Sequence, residues 1–305
     1  MCKILNVTSN DWANHSYHNL RSLQAAGVNV SGCKIYPHSF GYTEQLPIVT
    51  KEEMRDTIFN GGFDVVQIFN SDPLVPILMK GYKGKVVVHH TGSRYRDNPN
   101  ECNRIFNPIV WKTIHCHSEF FGLGAINENL VTVTIDVDKF VPVYYTWNRL
   151  VFAHYPSNSD VKGTKTIARI AEQVGVNFHY SSERVTHEEN IQRMKTCDVY
   201  IELHNPTING KKYGHFGNTA LEAAAMGKIV VTQNLTPEIY EREYGDCPMF
   251  LAKDENHLAE ILSYINGLSI SEIIKLKKAH RKWVQEKHSF KAQGERLKRI
   301  LCECD

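Results

Sequence analysis

No apolar run in the 305 residues approaches the length of about 20 needed to cross a bilayer, so a membrane-spanning helix is not expected. Charge of one sign is missing too. Lys and Arg number 35 against 33 Asp and Glu, a formal net charge of +2 with fifteen His set aside, and this balance neither demands nor excludes a nucleic-acid partner. Eight cysteines, at 2, 33, 102, 116, 197, 247, 302 and 304, lack the clustering of a disulfide framework. The two local groupings, His115-Cys116-His117 and Cys302-Glu303-Cys304, have no second ligand pair, and the first lies in a strand pattern whose alternate residues face opposite ways. His187-Glu188-Glu189-Asn190 lacks the second histidine of a zinc protease. No metal and no resident cofactor are therefore expected. Met1-Cys2-Lys3-Ile4-Leu5-Asn6-Val7 has neither the apolar length nor the cleavage pattern of a signal peptide. The expectation is a soluble, cytoplasmic chain without low-complexity tracts or short repeats.

With 42% hydrophobic residues, a chain of this length buries two ordinary cores more readily than one. Short β-branched runs alternate with helical patterns, as in βαβ units on a parallel sheet. In the first half the expected strands are Lys3 to Thr8, Val28 to Ile35, Val65 to Ile68, Val86 to His89, Lys112 to Cys116 and Leu130 to Val133, with a helix over Tyr17 to Ala26. The periodicity lapses around Pro142 to Asn148. It restarts with strands at Leu150 to His154, Asn177 to Tyr180, Asp198 to Ile201 and Ile229 to Thr232, and helices at Lys165 to Val174, Glu188 to Lys195 and Thr219 to Met226. The expected division is a first domain over 1–146, a second over 147–285, and a terminal helix over 286–305. Ser271 to Leu301 reads as long, charged and helical, with Lys275, Lys277, Lys278, Arg281 and Lys282 on a solvated face.

The densest chemistry lies in Tyr213-Gly214-His215-Phe216-Gly217-Asn218-Thr219-Ala220-Leu221-Glu222-Ala223-Ala224-Ala225-Met226-Gly227-Lys228. A glycine-containing loop opens a small-residue helix, whose first N–H groups suit a diphosphate. Glu222 lies one turn in. Thr219-x-x-Glu222 also fits a capping box, in which the glutamate only bonds back to the start of its own helix, and both readings stand at this stage.

This stretch resembles the donor-site segment of the group 1, family-4 type glycosyltransferases, in which Phe-Gly precedes an Ala-Leu-Glu-Ala helix. Other pieces occur in the same order: His89-His90-Thr91-Gly92, His117-Ser118-Glu119, Ile135-Asp136-Val137-Asp138-Lys139-Phe140, Val161-Lys162-Gly163-Thr164 and His288-Ser289-Phe290. The resemblance covers nearly the whole chain. It implies an α/β protein of the GT-B type, with two Rossmann-like domains facing a cleft and a C-terminal helix crossing back to the first. It implies a retaining enzyme that takes a sugar from a nucleotide-diphosphate-sugar and needs no bound metal. By position, Glu222 would bond the donor ribose, Gly217, Asn218 and Thr219 would offer N–H groups to the diphosphate, and Lys162 would meet its charge. His90 would contact the transferred sugar, while Asn14 and His15, in the loop after the first strand, would touch an acceptor. An N-cap at Asp11 or Asn14 is the plainer account of that loop.

Two positions depart from the family pattern. Gly214 stands where a first glutamate is usual and Ser157 where an arginine is usual, with Asn158 and His215 as possible substitutes. The acceptor would be a glycan, a lipid-linked glycan or another hydroxyl compound. DNA is a less expected acceptor, as for phage-type base glycosyltransferases, with Lys211 and Lys212 among the basic residues that would meet it. A nucleotide-sugar epimerase and a non-catalytic nucleotide-sugar-binding protein are the other classes.

Overall fold

The computed structural model describes residues 2–38, 41–146 and 149–303. These form two compact units, 1–134 with 289–305 and 135–288. The expected domain start at Trp147 and the cysteine at 304 lie outside the described residues.

The first unit carries β1 (Lys3–Thr8), α1 (His15–Ala25), β2 (Asn29–Lys34), α2 (Lys51–Asn60), β3 (Val65–Ile68), α3 (Leu74–Leu78), β4 (Lys85–His90), α4 (Ser93–Asp97), α5 (Pro99–Phe106), β5 (Lys112–His115) and β6 (Glu128–Leu130). All six strands pair in parallel in the order β2-β1-β3-β4-β5-β6. Helices cover both faces of such a sheet, which is why β3 reads Val-Val-Gln-Ile with every residue buried. The order reverses between β1 and β3. That switch point opens a crevice at the carboxyl ends of the strands, where open α/β sheets hold ligands. Asp11 caps α1, its carboxylate accepting from Ser16 N at 2.8 Å and Tyr17 N at 3.0 Å.

The second unit carries β7 (Val151–His154), α6 (Ser159–Lys162), α7 (Thr164–Val174), β8 (Asn177–Tyr180), α8 (His187–Lys195), β9 (Val199–Ile201), the hairpin β10 (Thr207–Ile208) and β11 (Lys211–Lys212), α9 (Asn218–Ala225), β12 (Ile229–Thr232), α10 (Pro237–Tyr244), β13 (Phe250–Leu251), α11 (Glu255–Asn266) and α12 (Ile270–His288). Its five parallel strands run β13-β12-β9-β7-β8, with the switch between β7 and β9. The final helix, α13 (Phe290–Cys302), belongs to the first unit and lies along α1. Gly294 permits their close approach, since a Cβ there would sit 1.9 Å from Ser22 O.

Each expected strand has a counterpart, although β6 pairs over Glu128–Leu130 instead of Leu130 to Val133, and the short strands β10, β11 and β13 were not expected. The tail is not one helix. It breaks at Ser289, whose hydroxyl caps α13 by accepting from Ala292 N at 3.3 Å. Nor is its basic face uniformly solvated. Lys277 is buried and pairs with Asp198 at 2.7 Å, and Arg281 is buried against the carbonyls of Val137 and Phe140 at 3.0 and 2.9 Å. Lys275, Lys278 and Lys282 are exposed as expected.

Candidate functional site

In the second unit the switch point brings together the ends of β7, β9 and β12. The Gly217 backbone caps α9, and Phe216 ahead of it is fully buried, edge-on to Tyr240 at 4.9 Å and Trp283 at 5.6 Å. This aromatic anchor fixes where the helix begins. Glu222 is 2% exposed, and its Oε1 lies 2.7 Å from His187 Nε2 at the start of α8. Its Oε2 has no hydrogen-bond partner. Burial works against a charge on His187, yet the Glu222 carboxylate outweighs it and raises the imidazole pKa. The capping box does not form. Gly217 is the N-cap residue, no side chain caps it, and Glu222 bonds a neighbouring helix instead.

Lys162, the last residue of α6, reaches Glu202 Oε1 at 2.9 Å. Burial disfavours its ammonium, but Glu202 and Tyr213 together hold its pKa above the ordinary lysine value. Glu202 escaped the sequence reading because it sits in the apolar strand register directly after β9. Its side chain is fully buried and accepts from Lys162 Nζ, from Gly217 N at 3.0 and 3.2 Å, and from Thr232 Oγ1 at 2.9 Å. One of the N–H groups expected to face a diphosphate is thus bonded to Glu202. His187 was missed as well, since only tertiary packing places it against Glu222.

The remaining expected donor residues divide. Asn218 and Thr219 are partly exposed in the first turn of α9 beside Gly217. Ser157 is exposed, whereas Asn158 is the N-cap of α6, accepting from Val161 N at 3.1 Å. His215 is buried with its ring 3.9 Å from Phe216, and desolvation lowers its pKa to about 3. Gly214 has φ +146, and an added Cβ would lie 2.2 Å from Gln233 Nε2, so a side chain at this position is strained. A cavity of about 400 Å³ opens nearby beside the starts of α7 and α11, but none of the expected donor residues lines it.

The first unit has a cavity of about 540 Å³ at its own switch point. Ser9, Trp12, His15, Asp72, Gly92 and Arg94 contribute to its lining. The Trp12 ring is half-exposed at 52%, and burial lowers the His15 pKa to about 4, which leaves a neutral imidazole. Asp72 is turned inward, accepting from the N–H groups of Ser9 and Leu74. Asn14 is buried with its amide on Glu44 O at 2.8 Å and does not line the cavity. His90 is also fully buried. Its Nδ1 lies 2.8 Å from Ser71 Oγ and its ring stacks on Tyr95 at 3.8 Å, while Thr91 and Gly92 after it reach the cavity. Among the described residues no three potential metal ligands converge, and no helix is long and apolar enough to cross a membrane.

No protein-family model and no curated protein sequence matches the chain. Solved structures do. Anabaena HepE in complex with UDP-glucose superposes with a TM-score of 0.70 at 13% identity, over 99% of each chain. The fold is GT-B. Sucrose-phosphate synthase from Thermosynechococcus elongatus gives a TM-score of 0.61 at 12% identity over 98% of each chain. A Listeria monocytogenes structure assigned as a UDP-N-acetylglucosamine 2-epimerase gives 0.50 at 11% identity, covering 100% of this chain and 97% of that one. A fold shared by sugar transfer and sugar epimerisation does not choose the chemistry, which has to be argued from side chains.

Proposed function

We propose that the protein is a glycosyltransferase that binds a nucleotide-diphosphate-sugar on its second unit and transfers the sugar, with retention, to an acceptor hydroxyl. The observation that carries this reading is Glu222, a buried carboxylate on α9 with one oxygen held by His187 and the other without a partner. Such a group suits a ribose diol, whose hydroxyls both donate. Lys162 and the start of α9 lie on the same edge of the sheet, where a departing diphosphate needs positive charge.

In the proposed reaction the bond between the anomeric carbon and the phosphate oxygen breaks. The acceptor oxygen bonds that carbon on the same face, and the acceptor proton passes to the leaving phosphate. Lys162 and the first turn of α9 stabilise the charge that develops on the nucleotide. The acceptor, a glycan, lipid-linked glycan or other hydroxyl compound, would bind in the first-unit cavity, where Trp12 offers an aromatic face and His15 a neutral imidazole. His90 would contribute through Thr91 and Gly92, because its own ring is enclosed.

A non-catalytic nucleotide-sugar binder is the second reading, favoured by Gly214 and by the engagement of Lys162 with Glu202. Thermal-shift screening of UDP, GDP, ADP and dTDP sugars tests the donor site, since a ligand of the native state raises its stability by mass action. No shift at millimolar ligand would remove the donor site from consideration. Slow nucleotide release without acceptor identifies a transferase, isomerised sugar an epimerase, and neither a binder. Activity or binding on DNA that falls steeply with salt would move the acceptor to nucleic acid.

A further inference from the structure

Glu202 carries none of the donor roles proposed above, yet its carboxylate bonds Lys162, the start of α9 and the end of β12. It is fully buried at the switch point between β7 and β9 and accepts bonds from Lys162, Gly217 and Thr232. Its packing is tight: a Cβ on Gly217 would meet Glu202 Oε1 at 2.8 Å and approach Lys162 Nζ at 4.0 Å. As a device for stability this arrangement is poor, because a buried ion pair is commonly matched or bettered by apolar side chains of similar volume. Its effect on an incoming diphosphate is larger. Without Glu202 that ligand would meet an ammonium and a helix start, both positive; with Glu202 it meets a neutral pair and a helix start whose first N–H is already bonded.

We propose that Glu202 is a positioning residue that clamps Lys162 against the start of α9 and lowers the positive charge met by the donor diphosphate, which favours release of the nucleotide product. The proposal rests on the donor reading above. Release of product limits turnover in many well-evolved enzymes, so a seat made less attractive to the free nucleotide has a kinetic use.

The test uses the whole chain, the tightest-binding of UDP, GDP, ADP and dTDP, and the matching nucleoside, all by calorimetric titration. Glu202→Gln keeps the size and the acceptor toward Lys162 and removes the charge. It is expected to tighten the diphosphate on the order of tenfold while leaving the nucleoside unchanged, since only the diphosphate feels the lost carboxylate. A Gln variant that melts lower but keeps the parent's ratio of diphosphate to nucleoside affinity overturns the proposal, because a merely structural Glu202 behaves that way. If that variant does not fold, Lys162→Met and Lys162→Met with Glu202→Gln answer the same question, as neutralising both partners of a buried pair is better tolerated. The double variant is expected to bind diphosphate on the order of tenfold more tightly than the single Lys162→Met chain. Equal affinities overturn the proposal. A parent chain that binds none of the four nucleotides removes the donor reading, and this inference with it.

Discussion

Replacing Glu222 with Gln separates a ligand-binding carboxylate from a packing residue, and the structure sets the magnitudes. Glu222 is 2% exposed, bonds His187 at 2.7 Å through one oxygen and has the other unpartnered. Gln has the same shape, so the core around α9 should persist. If Oε2 accepts a ribose hydroxyl, loss of that charge-assisted bond should weaken nucleotide and nucleoside alike by about 1.5 to 3 kcal/mol, on the order of ten- to a hundredfold. The His187 pair adds a pH signature. Its folded pKa is raised, so its contribution is fully present below the unfolded value of 6.5 and is lost as pH rises through the folded pKa. The Gln variant should therefore melt lower than the parent at pH 6 by about 1 kcal/mol, with the gap closing at pH 9. Calorimetric titration of nucleotide and melting curves at the two pH values read both effects. A Gln variant that binds as the parent does, with a melting deficit independent of pH, would refute the ribose role and the linkage to His187.

Lys162→Met should weaken nucleoside diphosphate much more than nucleoside in the same titrations, because only the diphosphate carries charge for the ammonium to meet; equal losses would sink the assignment. Gly214→Ala should lower stability by about 1 to 3 kcal/mol, from an unfavourable φ and the contact with Gln233, and this is read directly from melting curves. Acid should destabilise the chain between pH 6.5 and 4. His15, His154 and His280 are held near 4, and His89 and His215 near 3, all first by burial. Their folded pKa values are depressed, so the stability they contribute is complete above 6.5 and lost as pH falls, at up to about 1.4 kcal/mol per pH unit for each. A melting temperature that holds steady from pH 7 to pH 5 would contradict this.

Local chemistry was sufficient for much of the architecture. Runs such as Val65-Val66-Gln67-Ile68 and Ile229-Val230-Val231-Thr232 are strands because parallel sheets bury both faces, and the sequence shows that directly. The helix after Gly217 and its stop at Gly227 were legible for the same local reason. Elements with weaker apolar signals were not: α2 (Lys51–Asn60) and α10 (Pro237–Tyr244) are largely polar and hold only two buried residues each. The hairpin β10–β11 also passed unnoticed, although Asn209 and Gly210 have the positive φ that a two-residue turn requires.

The site divides along the same line. Sequence placed Gly217 at the start of a helix and Glu222 one turn into it, because helix starts are local features, whereas Lys162, expected in a βα loop, ends the short helix α6. It left Glu222 balanced between a cap and a ligand contact. The tertiary structure removed the cap, by starting the helix at Gly217 and bringing His187 to one oxygen of Glu222, and it left the other oxygen without a bond. Glu202 shows the limit most plainly. In the chain it is a single acid after an apolar strand, forty residues from Lys162, fifteen from Gly217 and thirty from Thr232. Strand order alone sets β7, β9 and β12 side by side, and strand order is a property of the folded sheet that no single segment encodes.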